Sequence, residues 1–273
     1  MLKAGKGQEK GMNIEILLAT MFYEKEENFL EKMNVKTDIV IGNQTNYDSK
    51  EEYAYNESKV TILSRSERGV GKNRNTCLFN STADIVLFAD NDVKYYDDYK
   101  EKIENYYEKH PDADIVIFNF KMQRESEPLH DINHKNKRAK LRDITKFGTV
   151  TVTARRESIL RKRISFSLLF GGGAKYSCGE DSLFLTDCYK AGLRIYLSSD
   201  TLGEVINKES TWFKGITEKY VFDKGVLFKA MCPKIYKLVI IRHVIKHRKL
   251  YKEYGSVKKV LRVMLNGAKD YKG

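Results

Sequence analysis

Short apolar runs rich in β-branched residues alternate along the chain with segments of helical periodicity. The runs are mostly continuous, which is typical of strands covered on both faces of a sheet. We predict strands at Asn13–Thr20, Asp38–Gly42, Val60–Leu63, Ile85–Ala89, Asp114–Phe120, Thr149–Ala154 and Leu193–Leu197. We predict helices at Glu24–Met33, Lys72–Ser81, Tyr95–His110 and Asp181–Ala191. This order predicts an α/β fold with a doubly wound, mostly parallel, Rossmann-like sheet and helices on both faces.

The pattern changes toward both ends of the chain and in one internal segment. Residues 1–12 are polar and basic, and we predict a flexible leader without the apolar stretch of a signal peptide. Residues 121–147 have little periodicity and are predicted to run over the surface as a long excursion. Residues 13–225 should therefore form the α/β domain, and residues 226–273 a basic helical tail.

The positive charge of the chain is concentrated in its last part. The 273 residues carry a net charge of +12, and the 60 residues from Lys214 onward contain 16 Lys or Arg and four Asp or Glu. The remaining 33 cations and 33 anions cancel, so the α/β domain has no basic field of its own. A sequence pI near 9.3 raises the possibility of a nucleic-acid-binding protein. Against that class, the charge is confined to the tail and no recognised nucleic-acid module is present, so we expect no nucleic-acid partner.

The cysteines and the basic tail indicate the cellular compartment of the protein. The four cysteines form no CxxC pair, which favours free thiols in a reducing cytosol and predicts a cytoplasmic protein. Residues 234–262 place apolar side chains at near-helical spacing among cations and are too charged to span a bilayer. They either lie on an anionic membrane surface, making the protein peripheral on the inner face of the plasma membrane, or pack on the domain with a basic outer face.

Two acids follow the fourth predicted strand directly. In IVLFADNDV, Asp90 and Asp92 stand at the carboxyl end of a buried strand, where ligands of such sheets bind. Their oxygen ligands suit Mg²⁺ or Mn²⁺, and two carboxylates leave the rest of the coordination to water and diphosphate oxygens. The alternative is an ordinary solvated turn, because Asp and Asn are common turn residues.

Two further segments carry candidate chemistry. Arg68–Thr76 combines glycines and cations ahead of a helix, which favours an anion, although it matches neither a P-loop nor a dinucleotide fingerprint. Glu180 and Asp181 begin a helix after a glycine-rich stretch. They either complement the helix dipole or, partly desolvated, provide a carboxylate base with a raised pKa.

Taken in order, these elements resemble the family 2 glycosyltransferases of the GT-A type. The resemblance rests on ILLATMFYE, IGNQT, GVGKNRNTCLFNSTADIVLFADNDV, FGGGAKYSCGEDSLFLTDCYKAGLRIY and ESTWF. It covers roughly Asn13 to Gly225 and is strongest toward bacterial enzymes that build capsular and other surface polysaccharides. It implies a nucleotide-sugar half at about 13–120 and an acceptor half at about 121–225.

The resemblance also implies an activity and its residues. It implies an inverting transfer from a nucleotide-diphosphate sugar to a hydroxyl of a glycan or lipid-linked saccharide acceptor, and the expected donor is a UDP-sugar. Asp90 and Asp92 would hold Mn²⁺ or Mg²⁺, and Asp181 would act as the base, with Glu180 beside it in the catalytic pair. The residues implied for nucleotide binding are Thr20, Phe22, Glu24, Gln44, Arg74 and Asn91.

The chain departs from the family pattern at a few positions, and other functions stay open. Gly71 stands where relatives usually have serine, Asn91 stands where many have an acid, and residues 204–209 lack the histidine that often completes the metal site. A sugar-nucleotide nucleotidyltransferase is the main alternative, but its glycine-rich basic signature is missing from the first strand–helix turn, ATMFYEKEE. An inactive family member is disfavoured by the intact acidic motifs.

Overall fold

The computed structural model describes residues 11–25, 28–122, 133, 135–206 and 215–272. The strands are β1 Ile14–Met21, β2 Asp38–Gln44, β3 Ser49–Tyr55, β4 Ser58–Arg65, β5 Ile85–Asp90, β6 Val93–Tyr95, β7 Ile115–Met122, β8 Lys137–Arg138, β9 Val152–Arg155 and β10 Ile195–Val205. The helices are α1 Phe29–Lys32, α2 Val70–Asn80, α3 Tyr99–Lys109, α4 Leu141–Ile144, α5 Arg156–Arg161, α6 Glu180–Lys190, α7 Glu218–Met231, α8 Tyr236–Lys246 and α9 Val257–Asp270. A short 3-10 helix, Thr149–Thr151, precedes β9.

The ten strands of the described residues form one sheet. Its order is β3-β4-β2-β1-β5-β9-β7-β10-β6, and β8 pairs with β10. Strands β4, β2, β1 and β5 pair in parallel, as do β7 and β10. Strand β9 lies antiparallel between β5 and β7, so β5 and β7 point the same way. The predicted α/β fold with a mixed, mostly parallel sheet is confirmed, and the carboxyl ends of its parallel strands share one edge.

Alternate residues of the central strands enter two separate cores. On one face, Ile16 of β1 belongs to a core that includes Ile103 of α3. On the other face, Leu17 belongs to a core with Leu78 of α2 and Phe184 of α6. Because successive side chains of a strand point to opposite faces, a continuous apolar run is needed to fill both cores. The helices therefore cover both faces of the sheet, as predicted.

The last three helices form a third core and pack against the sheet domain. Helices α7 and α9 cross closely, because a Cβ at Gly225 would overlap the carbonyl oxygen of Met264, and one at Gly267 would overlap the carbonyl oxygen of Phe222. Leu227 of α7 shares a smaller core with the glycine-rich segment before α6. The boundary expected at residue 225 lies inside α7, and the division into domains stays a prediction. No helix of the described residues is long and apolar enough to cross a membrane.

Several predicted elements differ in extent from those observed. The helix expected at Glu24–Met33 is confined to Phe29–Lys32 among the described residues. The helix expected from Tyr95 begins at Tyr99, because Val93–Tyr95 pairs instead with β10 as an edge strand. Strand β3 was not predicted. Residues 1–10, His130, His134 and the ESTWF segment with Trp212 lie outside the described residues.

Candidate active site

The predicted site residues converge where the central strands end. In the register of the sheet, Thr20 of β1 lies beside Asn43 of β2, and Ala19 lies beside Asp90 of β5. Gln44, the last residue of β2, accepts a hydrogen bond at Oε1 from the backbone N–H of Gly69, 2.7 Å away. That bond fixes the start of α2 against the exit of β2, at the edge where parallel sheets bind ligands.

Arg74 lies at the centre of this edge and binds three carboxylates. Its guanidinium donates to Asp90 Oδ1 at 3.0 Å, to Asp181 Oδ1 at 3.0 Å and to Glu180 Oε1 at 3.2 Å. The side chain is only 5% exposed, and its guanidinium carbon lies 5.6 Å from the centre of the Phe166 ring. Arg74 thereby joins Asp90, the first residue of the acidic turn Asp90–Asp92, to the two acids of α6, although Asp90 and Asp181 are 91 residues apart in sequence.

Burial and charge oppose each other at Arg74. Burial by itself lowers the pKa of the guanidinium, but the charges of Asp90, Asp181 and Glu180 outweigh it and raise the pKa above its ordinary value. The Nε atom is buried without a hydrogen-bond partner among the described residues. A guanidinium presents donors in a fixed fork, so this residue type can bridge several carboxylates at once.

The acidic pair begins α6 after a left-handed glycine. Gly179 has φ +102°, and a Cβ there would overlap the side chain of Leu227 in α7. Asp181 accepts a short hydrogen bond from the hydroxyl of Thr149. Burial, followed by the charge of Asp181, raises the pKa of Glu180 to about 7, although Arg74 acts in the opposite direction. The pair therefore offers one carboxylate held by Arg74 and Thr149 and a second that titrates near neutrality.

The acidic turn connects β5 to β6. The backbone carbonyl of Asp92 accepts a hydrogen bond from Ile206 N–H at 2.8 Å, which ties the turn to the end of β10. Burial, and then the charge of Asp90, raises the pKa of the Asp92 carboxyl. This carboxylate has no cationic partner among the described residues.

The carboxylate groups of the acidic turn are ligands that suit a divalent cation. Two hard oxygen donors lie two residues apart, and a cation would relieve the repulsion that Asp92 receives from Asp90. No group of three or more acidic, histidine or cysteine ligands occurs within the described residues, so further ligands would come from water or substrate oxygens. One oxygen of Asp90 is already engaged by Arg74.

A sequence comparison decides the family to which this arrangement belongs. The model of the family described as glycosyl transferase family 2 matches residues 36–165, a span that contains β2, Arg74 and the acidic turn. Residues 36–165 carry a family 2 glycosyltransferase domain. No curated protein sequence matches this glycosyltransferase significantly.

Solved structures support the GT-A fold of the glycosyltransferase. The structure of S. aureus TarS 1–349 in complex with UDP-GlcNAc is 17% identical, with a TM-score of 0.60 over 80% of this chain and 66% of that one. The complex of the same fragment with UDP is 15% identical, with a TM-score of 0.64 over 94% of this chain and 81% of that one. The alignment covers 55% of the longer S. aureus TarS structure, at 14% identity and a TM-score of 0.59. At these identities the likeness establishes the fold alone.

The other residues predicted to bind the nucleotide differ in their exposure to solvent. Thr20 and Gln44 are buried, whereas Phe22, Glu24 and Asn91 are exposed. Phe22 has φ +49°, and its ring lies 5.1 Å from the guanidinium carbon of Arg68. Thr20 has its carbonyl fixed by the side chain of Asn73, at 3.0 Å.

Several residues of the site in this glycosyltransferase were not predicted from the sequence. Thr149 and Phe166 contact Asp181 and Arg74, and Asn73 links the carbonyls of Thr20 and Gly42. Of these residues only Asn73 could have been predicted, because it stands beside Arg74 in the motif GVGKNRN. Thr149 and Phe166 lie in segments whose sequence carries no recognisable site pattern.

The structure also explains why serine is replaced at Gly71. A Cβ at this position would lie 2.5 Å from the backbone carbonyl oxygen of Ser167. The segment before the glycine-rich loop therefore fills the space that a side chain would need. The loop follows directly and meets the start of α2, where Val70 N–H donates to the carbonyl of Gly172 at 2.9 Å.

Proposed function

We propose that this enzyme is an inverting, metal-dependent glycosyltransferase that uses a UDP-sugar. The supporting observation is the convergence of Asp90, Glu180 and Asp181 on the buried Arg74 at the carboxyl edge of the sheet. A site of this kind joins an acidic turn suited to a cation–diphosphate complex with a carboxylate that can take a proton. Both parts are needed for glycosyl transfer, because the sugar breaks its bond to a phosphate oxygen of the donor and forms a bond to the hydroxyl oxygen of the acceptor.

The donor would lie along the ends of β1, β2 and β5. Thr20, Phe22, Glu24, Gln44 and Asn91 would line the nucleotide pocket, and the buried ones would define its floor. Arg74 would lie near the diphosphate end of the donor while holding the acids in place. The choice of uridine is supported by the UDP and UDP-GlcNAc complexes of S. aureus TarS, which shares the fold.

Asp90 and Asp92 would hold the divalent cation, Mn²⁺ or Mg²⁺. When bound, such an ion neutralises charge on a leaving diphosphate and orients it. The raised pKa of Asp92 is consistent with a carboxyl that lacks a cationic partner until substrate and ion arrive. Arg74 contributes a fixed positive charge at the same place, because its guanidinium already contacts Asp90.

Asp181 would act as the general base. Its carboxylate takes the proton of the acceptor hydroxyl while the new bond forms from that oxygen to the anomeric carbon. The bond from the anomeric carbon to the diphosphate oxygen breaks, and the electron pair leaves with UDP. Thr149 and Arg74 hold Asp181 through hydrogen bonds, so its orientation is set before the acceptor binds.

The acceptor would be a glycan or lipid-linked saccharide in the synthesis of capsule or another surface polysaccharide. This assignment rests on the resemblance of the site motifs to bacterial enzymes of that kind. A lipid-linked acceptor would place the enzyme in the cytoplasm at the inner face of the plasma membrane, as a peripheral protein.

A donor screen tests the proposal directly. Purified enzyme is incubated with UDP-, GDP- and CMP-sugars in the presence of Mn²⁺, and release of the nucleotide is measured. We expect slow hydrolysis of at least one UDP-sugar, with release of UDP and no pyrophosphate. In a parallel incubation with nucleoside triphosphates and sugar phosphates, release of pyrophosphate would instead identify a nucleotidyltransferase. Inertness toward every sugar nucleotide would contradict the proposal.

A further inference from the structure

Exposed apolar side chains form a row along the outer side of α8. Leu238 is 65% exposed, Ile245 is 56% exposed and Ile241 is 41% exposed. Their spacing of three and then four residues places them on one face of the helix. The side of the helix that packs inward carries Ile240 and Val244, which are fully buried in the core shared with α7 and α9. Helix α8 is therefore apolar on both sides, and the described residues cover one of them.

Cations border this outer row on both sides. Lys237 projects on one side of the row, and Arg242 and Lys246 project on the other, as the 100° rotation per residue of an α-helix requires. All three are exposed, and none has a carboxylate partner among the described residues. From Lys234 to Lys252 the sequence contains seven Lys or Arg and no Asp or Glu.

Two more exposed apolar residues flank the helix in sequence. Ile235, immediately before α8, and Leu250, four residues after it, are both more than half exposed, at 57% and 52%. We define the α8 outer face as Leu238, Ile241 and Ile245, with the cations Lys237, Arg242 and Lys246 that border them. A row of exposed apolar side chains along one helix face is a surface that proteins commonly use to bind a partner or a membrane.

We propose that the α8 outer face is a docking surface for an anionic lipid bilayer. The helix lies in the plane of the membrane, its apolar row enters the boundary between headgroups and acyl chains, and its lysines and arginine reach the lipid phosphates. Long basic side chains suit this position because their stems cover apolar surface while their charged ends stay in water. The inference does not depend on the transferase chemistry.

Charge favours a bilayer over a second copy of the chain. In a two-fold dimer through the α8 outer face, the cations bordering one row would face the same cations of the other copy, with no acid between Lys234 and Lys252 to balance them. An anionic membrane offers apolar depth and negative charge together. A nucleic acid would match the cations but not the apolar row.

Vesicle sedimentation with the full chain and no substrate tests this docking surface. We expect partition into vesicles containing phosphatidylglycerol to exceed partition into neutral phosphatidylcholine vesicles by about tenfold, and to fall as salt is added. Replacement of the apolar row in the variant Leu238→Gln/Ile241→Gln/Ile245→Gln should reduce partition into anionic vesicles by about tenfold. Glutamine is a good helix former, so these exposed changes should preserve α8.

Matched controls separate docking from general surface effects. Phe79→Gln and Tyr189→Gln remove exposed aromatic residues from α2 and α6 and should leave partition unchanged. Circular dichroism checks that each variant is folded. Equal partition into neutral and anionic vesicles, or an undiminished partition of the triple variant, would overturn the inference. So would the absence of vesicle binding combined with a dimer that the triple variant converts to monomer, which would assign the face to a second copy.

Discussion

Asp181 is the residue on which the proposed chemistry depends most. It is held by Thr149 and Arg74 and remains more exposed than Arg74, so an acceptor hydroxyl has a route to its free oxygen. We expect Asp181→Asn to lower kcat about 10²- to 10⁴-fold, because the amide cannot take the proton, and to leave UDP binding nearly unchanged. Steady-state kinetics and calorimetry with UDP measure both. Asp187→Asn on the same helix is the matched control, and wild-type turnover of Asp181→Asn would reject the assignment.

Glu180 should make stability depend on pH. Its pKa in the folded chain is about 7, above its ordinary value of 4.5, so folding favours the protonated carboxyl. Its contribution is complete below about pH 4.5 and is lost as the pH rises through 7. The free energy of unfolding of the wild type should therefore fall, relative to Glu180→Gln, by on the order of 2 kcal/mol between these pH values. Urea unfolding across this range measures it, with the exposed Glu101→Gln as control. Parallel pH profiles of wild type and Glu180→Gln would contradict this.

Arg74 should matter for folding as well as for activity. Removing it in Arg74→Met leaves three acids facing one another, and loss of one partner from a buried ion cluster costs about 3–5 kcal/mol. Arg74→Lys keeps the charge but not the fork, so it should recover part of that stability and little of kcat. Urea unfolding and kinetics measure the two effects, and the exposed Arg161→Met is the control. A full recovery of both quantities by lysine would show that the fork geometry is unimportant.

The acids of the site were predictable from the sequence, and their partners were not. Asp90 and Asp92 follow an apolar strand directly, and Glu180 and Asp181 follow a run of glycines, so local patterns mark them. The bond from Thr149 to Asp181 and the ring of Phe166 beside Arg74 depend on how distant segments pack, which no local pattern encodes. The three-way contact of Arg74 also went unpredicted, because the sequence placed it only near the nucleotide.

At the scale of elements, strands that are buried on both faces could be predicted from the sequence, and edge strands could not. Strands β1, β2 and β5 are buried on both faces and appear as continuous apolar runs. Strand β3 lies at the edge of the sheet and exposes Glu51 and Glu52, so its composition resembles a loop. The short strand β6 is not predicted, and only its last residue, Tyr95, falls in the predicted helix, because three residues carry too little periodicity and their pairing with β10 is distant in sequence.

The crossing of α7 and α9 offers a test of how the last helices are held. A Cβ at Gly225 would overlap the backbone of Met264, so Gly225→Ala must push the two helices apart. We expect the free energy of unfolding to fall by about 1–3 kcal/mol. In an uncrowded helix the same change from glycine to alanine would instead raise it slightly. Urea unfolding measures it, with the exposed Asn266→Ala in α9 as control. Unchanged or increased stability of Gly225→Ala would show that the helices do not cross so closely.

At the scale of the whole molecule, the basic part of the chain and the site are physically connected. Leu227 of α7 packs against the backbone of Gly179, directly before the acidic pair of α6. The same α7 shares a core with α8, whose outer face we propose as a membrane surface. The excess charge of the chain is therefore carried by helices that contact the element bearing the acidic pair, and we propose that the neutral sheet domain binds the donor.

Calorimetric titration with UDP is the measurement that tests the proposed site most directly. The wild type is titrated with and without Mn²⁺, and Asp92→Ala and the exposed Asp98→Ala are titrated in the same way. The account predicts that UDP binds at least about tenfold more tightly with Mn²⁺ to the wild type and to Asp98→Ala, and that Asp92→Ala loses this difference. UDP affinity that is equal with and without Mn²⁺ and unchanged by Asp92→Ala would contradict it.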